Sequence, residues 1–194
     1  MDRPILFSGP MVRALLAGTK TQTRRVVKPQ PPGLWMKPET AVITDHHGRW
    51  AFSRIAPNGM AVAWPRGTES IKCPYGIPGD TLWVRETWTT ADGDGSRNEL
   101  CFFADDPDPS VYKWRPSIHM PRWASRITLR VTDVRVQRVR ATSERDAQAE
   151  GAAKESGVGG MSYVNGFHRL WDSINDARGY GWDVDPWVWA LTFE

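Results

Sequence analysis

The chain has 194 residues, a net charge of +3 at pH 7 and two cysteines, Cys73 and Cys101, that are far apart in sequence. This length can bury a core without cross-links, and two separated cysteines form neither a disulfide framework nor a metal-ligand set. No apolar run approaches the roughly 20 residues needed to span a bilayer, and the N-terminus lacks the residue order of a signal peptide. We therefore expect a cytoplasmic protein with no membrane partner, no metal and no other cofactor.

The composition favours a planar, anionic partner. Tryptophan occurs 11 times, and arginine greatly outnumbers lysine. Guanidinium groups bind phosphates through paired hydrogen bonds, and indole rings stack on nucleobases. A second interpretation stays open, in which tryptophan fills a small β-core and arginine reflects the base composition of the genome.

The N-terminal segment contains the first candidate site. Residues 4–8 are predicted as a strand, and residues 9–17 as a helix that ends at Gly18, the residue type that best adopts a left-handed turn. A short β-branched run at residues 26–27 predicts the next strand. The junction between helix and strand carries cations and hydroxyls, namely Lys20, Thr23, Arg24 and Arg25. Such a junction can direct side chains into a cleft, although a solvated basic turn would have the same composition.

The region from residue 29 to residue 79 reads as an inserted β-hairpin region. Alternating segments predict short strands at residues 41–44, 49–52 and 60–64, and a turn at residues 45–48 joins the first two. Two adjacent histidines, His46 and His47, lie on that turn. Adjacent positions on a turn are a poor ligand set, and we expect no metal there.

Residues 81–88 are predicted as a strand with an unusual acidic residue. Leu82, Val84, Glu86 and Trp88 share one side of it, whereas Arg85 lies on the other. A carboxylate on a mostly apolar face either pairs with an arginine or lines a cavity. Glu86, with Arg85 and Trp88 beside it, is therefore a candidate ligand contact.

A proline-bounded stretch at residues 113–124 is the third candidate segment. Its two prolines fix the path of the backbone while polar and aromatic side chains are presented in alternation, among them His119, Arg122 and Trp123. This pattern is typical of an ordered loop over a ligand. The alternative is a loop whose tryptophans close the end of a barrel.

The C-terminal half completes a predicted α+β fold. Residues 125–140 alternate strongly but change phase, which indicates a long strand with a bulge or bend. A Ser-capped helix at residues 143–150, a glycine-rich linker at 155–160 and an amphipathic helix at 164–177 follow. An apolar last strand at 186–193 is expected to pair beside the first strand. Taken together, the predicted strands and helices indicate a small mixed β-barrel with helices packed at its mouth.

Two of these motifs resemble a known family. The segment Gly18–Arg24 (GTKTQTR) is similar to the GxKxxTxR-type signature of ASCH domains, relatives of the PUA fold, and Pro78–Val84 (PGDTLWV) resembles a strand of that family. The resemblance covers most of the chain and implies a single PUA-like domain over residues 1–194, with insertions at about 30–72 and 91–116. Residues 116–126 resemble a branch common in tailed phages and prophages, which would place the protein in a bacterial host cell.

The family resemblance also implies a type of function. ASCH domains bind RNA or modified nucleotides in a cleft beside the lysine motif, and some small bacterial members hydrolyse N4-acetylcytidine with a Lys, a Thr and a Glu. Carried over to this sequence, these catalytic residues are Lys20, Thr23 and Glu150. Other family members are ribonucleases or binding domains without activity.

Four interpretations follow from the sequence. The first is a binding domain for RNA or a modified nucleoside, with DNA as an open alternative. Its candidate contacts are Lys20, Thr23, Arg24, Arg25, Arg85, Glu86, Trp88, His119, Arg122 and Trp123. The second is an amidohydrolase with Thr23 as nucleophile, and the third a ribonuclease that depends on His119 or Lys20. The fourth is a structural or protein-interaction role, in which Glu86 and Glu150 form internal salt bridges with Arg25 and Arg85.

Overall fold

The structure is a computed structural model, and it does not describe every residue of the chain. The described residues are 1–30, 41–44, 49–55, 61–62, 71–91, 99–105, 108, 110, 112–157 and 159–194, with the backbone alone for those between 41 and 71. The turn predicted at residues 45–48, with its two histidines, lies outside them.

The described elements are mostly strands, with three α-helices among them. In chain order they are β1 (Asp2–Leu6), α1 (Gly9–Leu16), β2 (Gln22–Val26), β3 (Ala41–Thr44), β4 (Arg49–Ile55), β5 (Ala61–Val62), β6 (Ile71–Lys72), β7 (Thr81–Arg85), β8 (Trp88–Thr90), β9 (Leu100–Phe102), β10 (Thr128–Arg138), α2 (Glu144–Ala149), β11 (Glu155–Gly157), β12 (Gly160–Ser162), α3 (Tyr163–Asn175) and β13 (Trp187–Phe193). None of the helices in the described part of the chain is long and apolar enough to cross a membrane.

A five-stranded mixed sheet in the order β1-β7-β10-β13-β2 forms the centre of the fold. Strands β1 and β7 are parallel, and the other neighbours are antiparallel. The predicted α+β class is confirmed. Among the described residues, β1 and β2 remain the two edges of this sheet, so the strand pairing does not close into the predicted barrel.

The prediction that the last strand pairs beside the first was wrong. Strand β13 lies between β10 and β2, and β1 pairs with β7 instead. The physical reason lies in the burial of β13, because Trp187, Val188, Trp189, Ala190 and Leu191 are all buried. A strand with side chains buried on both faces is typical of a central position in a sheet that is covered on both faces, and not of an edge.

The predicted irregularity in the long strand is confirmed as a shift of the pairing register. The pairing of β10 with β13 shifts between Val131 and Asp133, where the sequence changes phase. The residues before this irregularity, Thr128–Arg130, pair with β7. One long strand with a register shift therefore connects both halves of the sheet.

Two other strand predictions need correction. The strand predicted to reach residue 88 ends at Arg85, and Trp88 begins the separate strand β8, which pairs with β9. The predicted linker at residues 155–160 instead contains strands β11 and β12, which pair with each other. By contrast, the hairpin of β3 and β4 in the inserted region is confirmed.

The helices cover the sheet and enclose two apolar clusters. One cluster contains Val12 of α1 together with Ile5, Val84 and Leu191 of the sheet. The other contains Ala147 of α2 with buried aromatic side chains of α3 and of the turn that follows it. The predicted cap of α2 is confirmed, because the Ser143 hydroxyl accepts a hydrogen bond from the Asp146 amide at 3.1 Å. This hydrogen bond fixes the N-terminus of α2, and Glu150 caps the opposite end of the helix.

Candidate functional site

The Lys20 side chain is buried at the junction between α1 and β2. Gly18 has a φ of +68°, and the amides of Thr19 and Lys20 both donate to the carbonyl of Ala14, so the backbone reverses tightly after the helix. Only 3% of Lys20 is exposed. Its Nζ donates at 2.8 Å to the Gln22 carbonyl, the Glu150 carbonyl and Oε2 of Glu150. All three ammonium donors are therefore used.

Glu150 joins Lys20 to Arg24. While Oε2 accepts from Lys20, Oε1 accepts from Nη1 of Arg24 at 3.0 Å, and Nη2 of Arg24 lies 3.1 Å from Oδ2 of Asp146. Glu150 caps the C-terminus of α2, where the helix dipole disfavours a negative charge. The two cations offset this cost, and the buried carboxylate is held in one orientation.

Burial and charge act together on the basic residues of this cluster. Burial lowers the pKa of Lys20, and the charges of Arg25 and Arg24 lower it further; the Glu150 carboxylate opposes this shift without cancelling it. Burial also lowers the pKa of Arg25, whose guanidinium bonds to the Leu6 carbonyl and lies 5.2 Å from the ring centroid of Phe7. Lys20 is consequently a lysine that releases its proton more readily than an exposed one.

Thr23 lies beside this cluster on β2, paired in register with Leu191 of β13. It is 4% exposed. Thr23 lines the same cavity as Lys20 and Glu150, so the three residues implied by the family resemblance are brought together. They come from one strand, the turn before it and the end of a distant helix.

The cavity, called the central cavity below, has a volume of about 700 Å³. Drug-sized and nucleoside-sized ligands occupy pockets of roughly 300–1,000 Å³. Aromatic and charged side chains both contribute to the lining of the cavity. The aromatic lining residues are Phe7, Tyr75, Phe167, Trp171, Tyr180 and Trp189, and the charged ones are Lys20, Arg24, Arg25, Lys28, Arg178 and Glu150.

Glu86 has a different partner from the two predicted for it. It is 1% exposed, and its two oxygens accept from Nε and Nη2 of Arg126 at 3.0 and 3.1 Å. Arg126 also binds Asp105 and lies 3.9 Å from the ring centroid of Phe102. The prediction that Glu86 and Glu150 pair with Arg25 and Arg85 was therefore wrong. Glu86 pairs with Arg126, and Glu150 pairs with Lys20 and Arg24.

The other predicted contacts lie outside the described lining of the central cavity, although Thr87 and Ser117, which are close to them in sequence, belong to it. Trp88 is buried, and its ring meets that of Trp123 edge-on at 5.7 Å. The guanidinium groups of Arg85 and Arg122 both lie over the ring of Trp83, at 4.8 and 5.8 Å, and Arg122 also pairs with Asp2. His119 is exposed on the turn Ser117–His119. In the described part of the chain, the central cavity is lined by none of Arg85, Glu86, Trp88, His119, Arg122 and Trp123.

Several lining residues were not predicted as site residues. Phe167, Leu170, Trp171 and Ile174 are at helical spacing on α3, a pattern that indicates core packing as readily as a ligand wall. Arg178 and Tyr180, on the turn after α3, carry no motif that singles them out. The sequence signal that Arg178 and Tyr180 share is that a basic and an aromatic residue follow an amphipathic helix.

No cluster of three or more His, Cys, Asp or Glu side chains arranged to hold a metal ion occurs among the described residues. No family model, curated protein or solved structure matches the chain. Any function therefore rests on the geometry and charge of the site itself.

Proposed function

We propose that the central cavity binds the base of an RNA nucleotide or of a modified nucleoside. The observation that carries this proposal is the lining itself, in which aromatic rings and basic side chains surround one cavity of nucleoside size. Aromatic side chains stack on unpaired bases, and arginine and lysine neutralise phosphates. DNA stays an alternative because few of these contacts distinguish the two sugars.

Polar groups in the lining suit the edge of a base. Thr23 provides a hydroxyl that both donates and accepts, and Asn175 provides an amide whose Nδ2 already donates to the Trp171 carbonyl at 3.1 Å. Both residues are less than a tenth exposed. A ligand edge that pairs with them would replace hydrogen bonds to water.

A PUA-like fold is part of the same proposal. Among the described residues the edge strands β1 and β2 do not pair with each other, yet the Arg25 guanidinium on β2 bonds to the Leu6 carbonyl at the end of β1. We propose a PUA-like sheet whose last gap is bridged by this side chain and whose opening leads to the central cavity.

Hydrolysis of an acylated nucleoside amine, such as N4-acetylcytidine, is the second candidate. It is supported by the shared cavity position of Lys20, Thr23 and Glu150 and by the lowered pKa of Lys20. In this reaction the Thr23 Oγ attacks the acyl carbon while neutral Lys20 accepts its proton. The bond from carbon to N4 then breaks, and the amine leaves with a proton delivered through Lys20 and Glu150. Water releases the acyl group from Thr23 as a carboxylic acid.

The ribonuclease interpretation has less support. It joins His119 to Lys20, but His119 is exposed and does not line the central cavity among the described residues. General acid–base cleavage needs both groups within reach of one phosphate.

A ligand panel tests the proposal. The wild-type protein is incubated with the common nucleosides, N4-acetylcytidine and short RNA and DNA oligonucleotides, and is followed by calorimetry and by chromatography of the products. We expect binding of at least one nucleoside-containing ligand. A panel in which nothing binds contradicts the proposed function, and binding without product leaves a binding domain and excludes the hydrolase candidate.

A further inference from the structure

The charges around the central cavity are strongly unbalanced. The described residues that line it include five basic side chains, Lys20, Arg24, Arg25, Lys28 and Arg178, and a single acidic one, Glu150. Glu150 is already shared between Lys20 and Arg24. The cations nearer the exterior therefore have no carboxylate within the described lining to neutralise them.

Lys28 lies on a segment that the Gln30 side chain anchors to the start of β13. Gln30 lies two residues after Lys28. Its Nε2 donates to the carbonyls of Val27 and Trp187, and its Oε1 accepts from the amide of Trp187 at 2.8 Å. These bonds fix the segment after β2 to β13. The exposed Lys28 ammonium lies 5.3 Å from the ring centroid of Tyr180.

Arg178 also lines the cavity and lies on the turn after α3, which two hydrogen bonds hold to that helix. The indole of Trp171 donates to the Tyr180 carbonyl at 2.7 Å, and the Tyr180 amide donates to the Asn175 carbonyl at 3.1 Å. Arg178 is exposed and lies two residues before Tyr180. Among the described residues, neither Lys28 nor Arg178 forms an ion pair.

Two exposed cations on anchored segments, one of them over the ring of Tyr180, suit an anionic group that is attached to a stacked base. We propose that Lys28 and Arg178 form a phosphate site, so that the ligand of the central cavity is a nucleotide and not a neutral nucleoside. This inference rests on the proposed function, because the base must enter the cavity for its phosphate to reach the two cations. The phosphate is either the monoester of a free nucleotide or a diester of an RNA strand.

Calorimetric titration with matched ligands tests this site. The probes are N4-acetylcytidine and the common ribonucleosides, their 5′-monophosphates, and short single-stranded oligoribonucleotides. Because a charge-assisted hydrogen bond to phosphate contributes about a tenfold factor in affinity or more, Lys28→Gln and Arg178→Gln should each weaken monophosphate binding about tenfold. Nucleoside binding should not change. Arg140→Gln, which removes an exposed arginine outside the cavity lining, is the charge-matched control.

The outcomes separate the two proposals. A monophosphate that binds no tighter than its nucleoside, or variants that weaken both ligands equally, would overturn the phosphate site and leave the base-binding proposal intact. If no ligand binds, the proposed function fails and the phosphate site fails with it. Tighter binding of the oligonucleotide than of the monophosphate, again lost in the two variants, supports the site and identifies a strand as the source of the phosphate.

Discussion

The Lys20 ammonium and the Glu150 carboxylate are 2.8 Å apart and almost completely buried, with 1% and 4% of their side chains exposed. They are 130 positions apart in the sequence, one in the turn after α1 and the other at the end of α2. A buried ion pair contributes little net stability when it is intact, but it is costly to break because one charge then remains unpaired. The pair therefore joins two elements of the fold at the wall of the central cavity.

The first prediction concerns this pair. Glu150→Gln removes the anion that Lys20 and Arg24 share, and we expect a loss of about 3–5 kcal/mol in the free energy of unfolding, as is typical when one member of a buried pair is removed. Urea unfolding followed by circular dichroism measures it. Glu194→Gln is the control, because Glu194 and its partner Arg130 are both two-thirds exposed. Equal effects of the two substitutions would contradict a structural role for the Lys20–Glu150 pair.

The second prediction concerns the proposed nucleophile. Thr23→Val replaces the hydroxyl with a methyl group of nearly the same size, so turnover of N4-acetylcytidine should disappear while its affinity falls by less than about tenfold. Product chromatography and calorimetry measure the two effects. Thr21→Val is the matched control, because Thr21 is exposed and does not line the central cavity in the described residues. Turnover that survives in Thr23→Val rules out this nucleophile.

The third prediction concerns the pH dependence of that reaction. Lys20 must be neutral to accept the proton of Thr23, and burial lowers its pKa. The rate should therefore rise with pH and reach its plateau below the pH at which an exposed lysine titrates. A pH profile of kcat measures this, and Lys20→Arg, which keeps the charge but cannot act as a base, should abolish the rate. A rate independent of pH would contradict the role of Lys20.

The fourth prediction concerns Asp146. Although burial opposes it, the charges of Arg24 and Arg135 lower the pKa of Asp146 in the folded state. Since the folded pKa lies below the unfolded one, the ionised group stabilises the fold above the unfolded pKa, and this contribution is lost as the pH falls through the folded pKa. Asp146→Asn should reduce the free energy of unfolding by about 1–3 kcal/mol at pH 7.

A pH series of urea unfolding checks the sign of this effect. The difference between wild type and Asp146→Asn should shrink steadily as the pH falls towards the folded pKa. Asp183→Asn, which changes an exposed aspartate, provides the control and should leave the free energy of unfolding nearly unchanged at every pH. A difference that grows in acid would contradict the assignment.

The sequence predicted the local elements better than their arrangement. The irregularity within β10 is visible in the sequence, because the apolar residues change from odd-numbered to even-numbered positions. The Ser143 cap follows from local hydrogen-bonding chemistry. The position of β13 was not predicted, because its apolar residues indicate that the strand is buried but not which strands pair with it. Strand neighbours depend on long-range packing, which alternation within one strand does not encode.

The same limit applies to the site. Lys20, Thr23 and Arg24 lie close in sequence, so their motif predicted their proximity. The Glu86–Arg126 pair was missed because any of several arginines satisfied the requirement for a buried carboxylate to have a partner. The aromatic wall on α3 was missed because its spacing is the same whether the residues face a core or a cavity.

The central claim is that a nucleoside-containing ligand occupies the cavity beside Lys20, and a blocking substitution tests it most directly. Ile174 lines the cavity and is 48% exposed, so Ile174→Trp fills the space without disturbing the core. The control is Val184→Trp, at a position that is 57% exposed and outside the described lining. Calorimetric titration with the tightest ligand of the panel should show affinity at least about tenfold weaker for Ile174→Trp and unchanged for Val184→Trp. Wild-type affinity in Ile174→Trp would show that the ligand binds elsewhere.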